Sequence, residues 1–200
     1  MSDRTAELQT FIEAAETFVD ARSVELPACR PLAGRIFSAL NATVAHPGNE
    51  QPRHPAVCDH LPTALAQARG GPPPLPKLAD AFAALEPAFA WAPRAGSDAV
   101  PGGFRDRHAN AVIVGQGGLE QHNDVRIGVS LVAPETDYPR HRHVPEEFYI
   151  VLSPGAWMQN DRPLEEKQSG DLVHNVPNVW HAMRSGSVPL LAVWFLWMRH

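Results

Sequence analysis

Apolar residues recur at Leu8, Phe11, Ile12, Ala15, Phe18 and Val19, the i, i+3, i+4, i+7 stripe of an amphipathic helix. Ser2 or Asp3 stands where an N-cap would accept a free amide of the first turn. A second helix is expected over residues 31–43, with Leu32, Ile36, Phe37 and Leu40 inward and Pro31 in its first turn, where a missing N–H costs little. A third is expected after Pro55. The run Gly70-Gly71-Pro72-Pro73-Pro74 breaks the pattern as a stiff turn, and a short helix over residues 77–85 precedes Pro87. From about Gly96 the period changes. Gly, Pro and Asp punctuate short runs rich in Val, Ile, Leu and aromatics, and residues 111–114, 125–132, 147–152, 171–176 and 190–197 read as strands. Strands at this spacing form a sandwich or barrel. The organisation expected is a helical region over residues 1–95, packed against or over the mouth of a single β-barrel over residues 96–200. No ligand is expected from His46, His54 or His60 in the helical part.

Composition narrows the partners. The 200 residues suit one domain with a helical extension, and an apolar fraction of 44% provides a core. A formal charge of −5 without any Lys/Arg cluster argues against nucleic acid. The first residues lack the basic start and apolar run of a secretory signal. The apolar run over residues 190–198 is far short of the roughly 20 residues a membrane helix needs. A cytoplasmic protein is therefore expected. Cys29 and Cys58 are too few for a disulfide framework and read as small core residues. Gly115, Gly117 and Gly118 do not make a nucleotide loop and read as a turn.

The chemistry concentrates in Tyr138-Pro139-Arg140-His141-Arg142-His143-Val144-Pro145-Glu146-Glu147-Phe148-Tyr149. On a strand, residues two apart share a face, so His141 and His143 project together, as do Glu147, Tyr149 and Val151; Glu146 projects oppositely. Arg140 and Arg142 then face away from the histidines. Downstream, Gly170-Asp171, Pro177 and His181 bring a further histidine. Three imidazoles and one carboxylate suit a single divalent ion: Zn, Fe, Mn, Ni or Co. His108, His122 and His200 read instead as surface residues. Tyr138, Trp157, Trp180, Trp194 and Trp197 all fall in the barrel half, where one or two of them are expected to line a pocket.

His141-x-His143-x-x-x-Glu147 resembles the first motif of the cupin superfamily, and Gly170-Asp171…Pro177…His181 resembles the second, though without its usual Pro-x-Gly. The resemblance implies a mainly β fold: one cupin barrel, a double-stranded β-helix or jelly roll, preceded here by helices. The string Tyr-Pro-Arg-His-Arg-His followed by Pro-Glu-Glu, an apolar residue and Tyr is similar to the cupin dimethylsulfoniopropionate (DMSP) lyases of marine bacteria, most of all to their helix-plus-cupin, DddQ-like branch. That likeness covers roughly residues 138–197. It implies metal ligands at His141, His143, Glu147 and His181, a catalytic tyrosine at Tyr149 and a second active-site tyrosine at Tyr138. It also implies a small zwitterionic substrate, split into dimethyl sulfide and acrylate. Another metal-dependent cupin enzyme, an Fe(II) dioxygenase or an isomerase of a small acid, and a non-catalytic ligand-binding cupin are the competing readings.

Overall fold

The computed structural model describes residues 4–42 and 46–199. Helix α1 (Ala6–Arg22) buries every residue of the Leu8–Val19 stripe. Its N-cap is Thr5, whose side chain accepts from the Leu8 amide at 3.3 Å; Ser2 and Asp3 lie outside the described residues. Helix α2 (Arg30–Ala42) buries Leu32, Ile36, Phe37 and Leu40 as the pattern predicts, and the expected end at Thr43 again falls outside the described residues. A 3-10 turn over Ala56–His60 leads into α3 (Leu61–Arg69). Helix α4 (Leu75–Leu85) starts two residues earlier than expected, because Pro76 is accommodated in its first turn. Among the described residues, no helix is long and apolar enough to cross a membrane.

The strands are β1 (His46–Pro47), β2 (His108–Val114), β3 (Glu120–Gln121), β4 (Val125–Val132), β5 (Asp137–His141), β6 (Glu146–Val151), β7 (Gly155–Gln159), β8 (Glu165–Lys167), β9 (Leu172–Asn175), β10 (His181–Arg184) and β11 (Leu190–Trp197). They form a seven-stranded sheet, ordered β1-β3-β2-β4-β11-β6-β9, and a four-stranded sheet, ordered β5-β10-β7-β8. With the helices in front, this is the helix-plus-cupin architecture expected from the motifs. Strand β1 departs from an all-helical first segment. It pairs with β3, and Arg53 and Ala92 bridge to Ala90 and Asn110, so the early chain is stitched to the larger sheet.

Alternation divides the larger sheet into two faces. Phe148 and Ile150 of β6 join Leu191, Val193 and Phe195 of β11 in one core with the helices. Phe148 and Phe195 stack at 4.6 Å, and Phe37 of α2 packs on Phe195 at 5.9 Å. Each buried phenylalanine contributes roughly 1.5–3 kcal/mol. The helices therefore pack against the outer face of the barrel rather than over its mouth. The opposite face of the same strands, with Tyr149, Val151 and Ala192, looks inward to Tyr138, Trp157 and Met183. That interior holds the histidines.

Candidate active site

Strand pairing sets the first contact. Residue His181 at the start of β10 stands opposite His141 at the end of β5, and their rings lie 4.1 Å apart. Because β5 stops at His141, His143 is not on a continuous strand with it, contrary to the same-strand expectation. A turn returns His143 to the site: its carbonyl accepts from the Asn178 amide at 2.9 Å, and Asn178 adopts a left-handed φ of 62°, which asparagine tolerates. The His143 ring then lies 5.0 Å from His181 and 6.3 Å from His141. Residue Glu147 arrives from β6, buried, with Oε2 at 3.4 Å from His143 Nε2 and 3.6 Å from His181 Nε2. The ligand-type atoms of His143, Glu147 and His181 all lie within 4.8 Å of one another. His141 borders this trio without joining it at that spacing.

Local backbone fixes the orientation of each imidazole. Nδ1 of His141, His143 and His181 donates to the carbonyl of Pro139, Pro145 and Val179 respectively, at 2.9, 2.9 and 3.0 Å. A neutral ring that donates through Nδ1 keeps its Nε2 lone pair free. At His181 that Nε2 is buried without a hydrogen-bond partner. A buried, unpartnered nitrogen beside a buried carboxylate is costly unless a cation is shared between them. The donor set fits a divalent ion.

His141, His143 and Glu147 face a cavity of about 490 Å³, whose lining also includes Tyr138, Tyr149 and Trp194. Tyr149 is buried two residues along β6 from Glu147 and on the same face. Tyr138 is also buried, its hydroxyl accepting from Asn110 Nδ2 at 3.1 Å, with its ring 5.3 Å from His141. Glu146 points away, to Arg35 at 2.5 Å and His174 at 2.9 Å. Of the aromatics named from sequence, Tyr138 and Trp194 line the cavity, Trp157 is buried beside Tyr149, and Trp180 is exposed. Arg140 and Arg142 turn outward onto Trp180 at 5.1 and 4.7 Å.

The profile of the dimethylsulfoniopropionate lyase family matches residues 30–192. This chain belongs to the DMSP lyase family. It is 31% identical over 103 residues to a protein of Cereibacter sphaeroides assigned as a DMSP lyase, DddL. That match takes in 51% of this chain and 43% of the relative, so the two share less than half of the relative's length. Among solved structures, a chain from the crystal structures of the DMSP lyases RdDddP and RnDddQII superposes with a TM-score of 0.72 at 23% identity, covering 96% of this chain and 92% of that one. The DMSP lyase DddQ from Ruegeria pomeroyi DSS-3 superposes with a TM-score of 0.62 at 22% identity, covering 86% and 88%. These two likenesses establish a shared fold.

In this member of the DMSP lyase family, electrostatics separates the histidines. Burial, then the neighbouring His181, pushes His141 down to about 4. Burial likewise lowers His181. His143 is raised, because burial is more than offset by its hydrogen bond and attraction to Glu147. Glu147 is lowered: burial opposes ionisation, but His143, His181 and Asn175 outweigh it. Tyr149 moves upward. Burial, then Glu147 and Tyr138, raises it well above its ordinary value.

Several residues of the site carry no signal in the sequence. Asn175 Nδ2 donates to Glu147 Oε2 at 2.9 Å, and Gln159 Nε2 donates to Asn175 Oδ1 at 2.6 Å, a chain that holds the carboxylate. His108, expected on the surface, is fully buried. Its ring stacks on Phe104 at 3.7 Å, its Nδ1 donates to the Phe104 carbonyl at 2.6 Å, and its Nε2 accepts from the Arg94 amide at 2.9 Å. With both nitrogens satisfied, burial of this neutral ring carries little penalty. His122 is half-buried, with Nδ1 accepting from the Asp124 and Val125 amides at 3.1 Å each. His200 lies outside the described residues. His46 is exposed, and His54 pairs with Glu86 at 3.1 Å.

Proposed function

We propose that this chain is a metal-dependent lyase that splits dimethylsulfoniopropionate into dimethyl sulfide and acrylate by β-elimination. One observation carries the reading. In a chain of the DMSP lyase family, Tyr149, Glu147, His141 and His143 line one small-molecule-sized cavity, and the buried His181 adjoins it through Glu147. His141, His143, Glu147 and His181 would hold one divalent ion of the zinc, iron, manganese, nickel or cobalt type. Such an ion, when bound, draws charge from the substrate carboxylate and favours the phenolate of Tyr149.

The chain's own residues account for the remaining steps. Tyr149 takes the proton from the carbon beside the carboxylate. The electron pair of that C–H bond forms the new double bond, and the pair of the C–S bond leaves with sulfur as a neutral thioether. Tyr138 orients the substrate, its hydroxyl set by Asn110. Trp194, on the cavity wall, offers apolar surface to the methyl groups that leave with the thioether. The test is gas chromatography after adding dimethylsulfoniopropionate to purified protein. Equimolar dimethyl sulfide and acrylate are expected; oxygen consumption or isomerisation without sulfide release would replace this reading with the dioxygenase or isomerase.

A further inference from the structure

Two arginines, Arg94 and Arg126, line the cavity without an ion-pair partner among the described residues; Arg53, also on the wall, is paired with Glu50 at 3.7 Å. Arg126 lies over Trp194, 5.9 Å from the ring centroid. Arg94 takes the other position, 5.8 Å from the ring centroid of Tyr138. An unpaired guanidinium in a partly desolvated cavity is a standing anion site, and its planar fork matches a carboxylate.

The segment that presents Arg94 is held firmly. The Arg94 amide donates to His108 Nε2 at 2.9 Å, and its carbonyl accepts from the Ser97 amide at 3.1 Å. His108 is itself fully buried and anchored to Phe104. Two residues earlier, Ala92 exchanges backbone hydrogen bonds with Asn110, the residue that donates to Tyr138. The connection between the helices and the barrel thus delivers a cation to the cavity on a rigid support, so little ordering is left for a ligand to impose.

We propose that Arg94 contacts the substrate carboxylate directly and is the residue that selects carboxylate-bearing substrates. The identity of that substrate as the sulfonium propionate rests on the lyase reading above; the carboxylate preference does not. A purely structural role, with Arg94 only steadying Tyr138, makes a different forecast for ligands that involve no proton transfer.

The experiment is calorimetric titration of propionate and of its neutral isostere propionamide into the protein as purified, for wild type, Arg94→Gln and Arg94→Lys, each checked for metal content and thermal melt. Arg94→Gln is expected to weaken propionate about 10- to 100-fold, the size of a lost charge-assisted hydrogen bond, and to leave propionamide unchanged. Arg94→Lys keeps the charge without the fork and should fall between. If Arg94→Gln folds poorly, Arg94→Lys carries the test, since it must weaken propionate more than propionamide. Unchanged propionate affinity, or equal losses for both ligands, overturns the proposal. Arg94-dependent propionate binding in a protein that releases no dimethyl sulfide would remove the lyase reading and keep this site. Sulfide release with Arg94-independent propionate binding would do the reverse.

Discussion

At the scale of single residues, the site is organised by which nitrogen of each imidazole is already used. Three backbone carbonyls take the Nδ1 protons, and three Nε2 lone pairs are left toward Glu147 and the cavity. Tyr149→Phe deletes only the phenolic oxygen on a buried strand residue. It is expected to keep fold and metal while kcat falls by at least about 10²-fold, the usual loss for a general base; stopped assays with metal analysis check both. Asn175→Ala removes the amide that holds Glu147. It is expected to weaken metal retention about 10- to 100-fold with Tyr149 untouched, read as the chelator concentration that strips the ion. The histidines, Glu147 and both tyrosines were legible in sequence because they sit in one dense, motif-like string plus His181. Asn175, Gln159, Asn110 and Arg94 were not. They come from separate segments, and an isolated amide or arginine carries no periodic or spacing signal until strand pairing brings it in.

Among elements, β6 and β11 do two jobs with alternate residues. Phe148, Ile150 and Phe195 anchor the helices, while Glu147, Tyr149 and Trp194 face the cavity. The close approach of β4 to β11 depends on Gly128, paired with Trp194: a Cβ there would sit 2.1 Å from the indole and 2.5 Å from the Ala111 carbonyl. Gly128→Ala is therefore expected to push Trp194 into the cavity, destabilising the protein by about 1–3 kcal/mol. A lowered melting temperature together with weaker substrate binding checks it; a variant indistinguishable from wild type would contradict the packing. The long elements were readable from the chain alone: α1 and α2 show a sustained period and bury the face it marks, β4 alternates through Val125, Ile127, Val129 and Leu131, and β11 is a continuous apolar run. The short ones escaped for physical reasons. Strand β7 (Gly155–Gln159) has three consecutive buried residues and β8 (Glu165–Lys167) only charged ones, so neither alternates. Strand β1 exists only through its pairing with β3.

For the whole molecule, burial of the site couples stability to pH. In chelator-treated protein, burial and then His181 hold His141 down at about 4, below the 6.5 of the unfolded chain, and burial lowers His181 as well. The unfolded chain thus binds more protons between these values, so this contribution is present above pH 6.5 and is lost as pH falls toward 4. Glu147, lowered from 4.5, adds stability above that value and loses it on further acidification. His143, raised from 6.5, works oppositely: its contribution is present below 6.5 and is lost as pH rises through its folded value. The melting temperature of metal-free protein is expected to fall from pH 6.5 to 4, and His141→Gln to flatten the fall. A metal ion, which binds only where these groups have lost their protons, should raise the melting temperature more at pH 6.5 than at pH 4 and so steepen the fall. The proposed elimination needs one site holding one ion. Headspace gas chromatography of dimethyl sulfide from dimethylsulfoniopropionate tests it most directly, on protein as purified, after chelation, and after adding back one equivalent of a divalent ion. Release that is lost on chelation and restored by that equivalent is the predicted result; folded, metal-replete protein that releases no sulfide above a protein-free control, or release that survives complete metal removal, would contradict it.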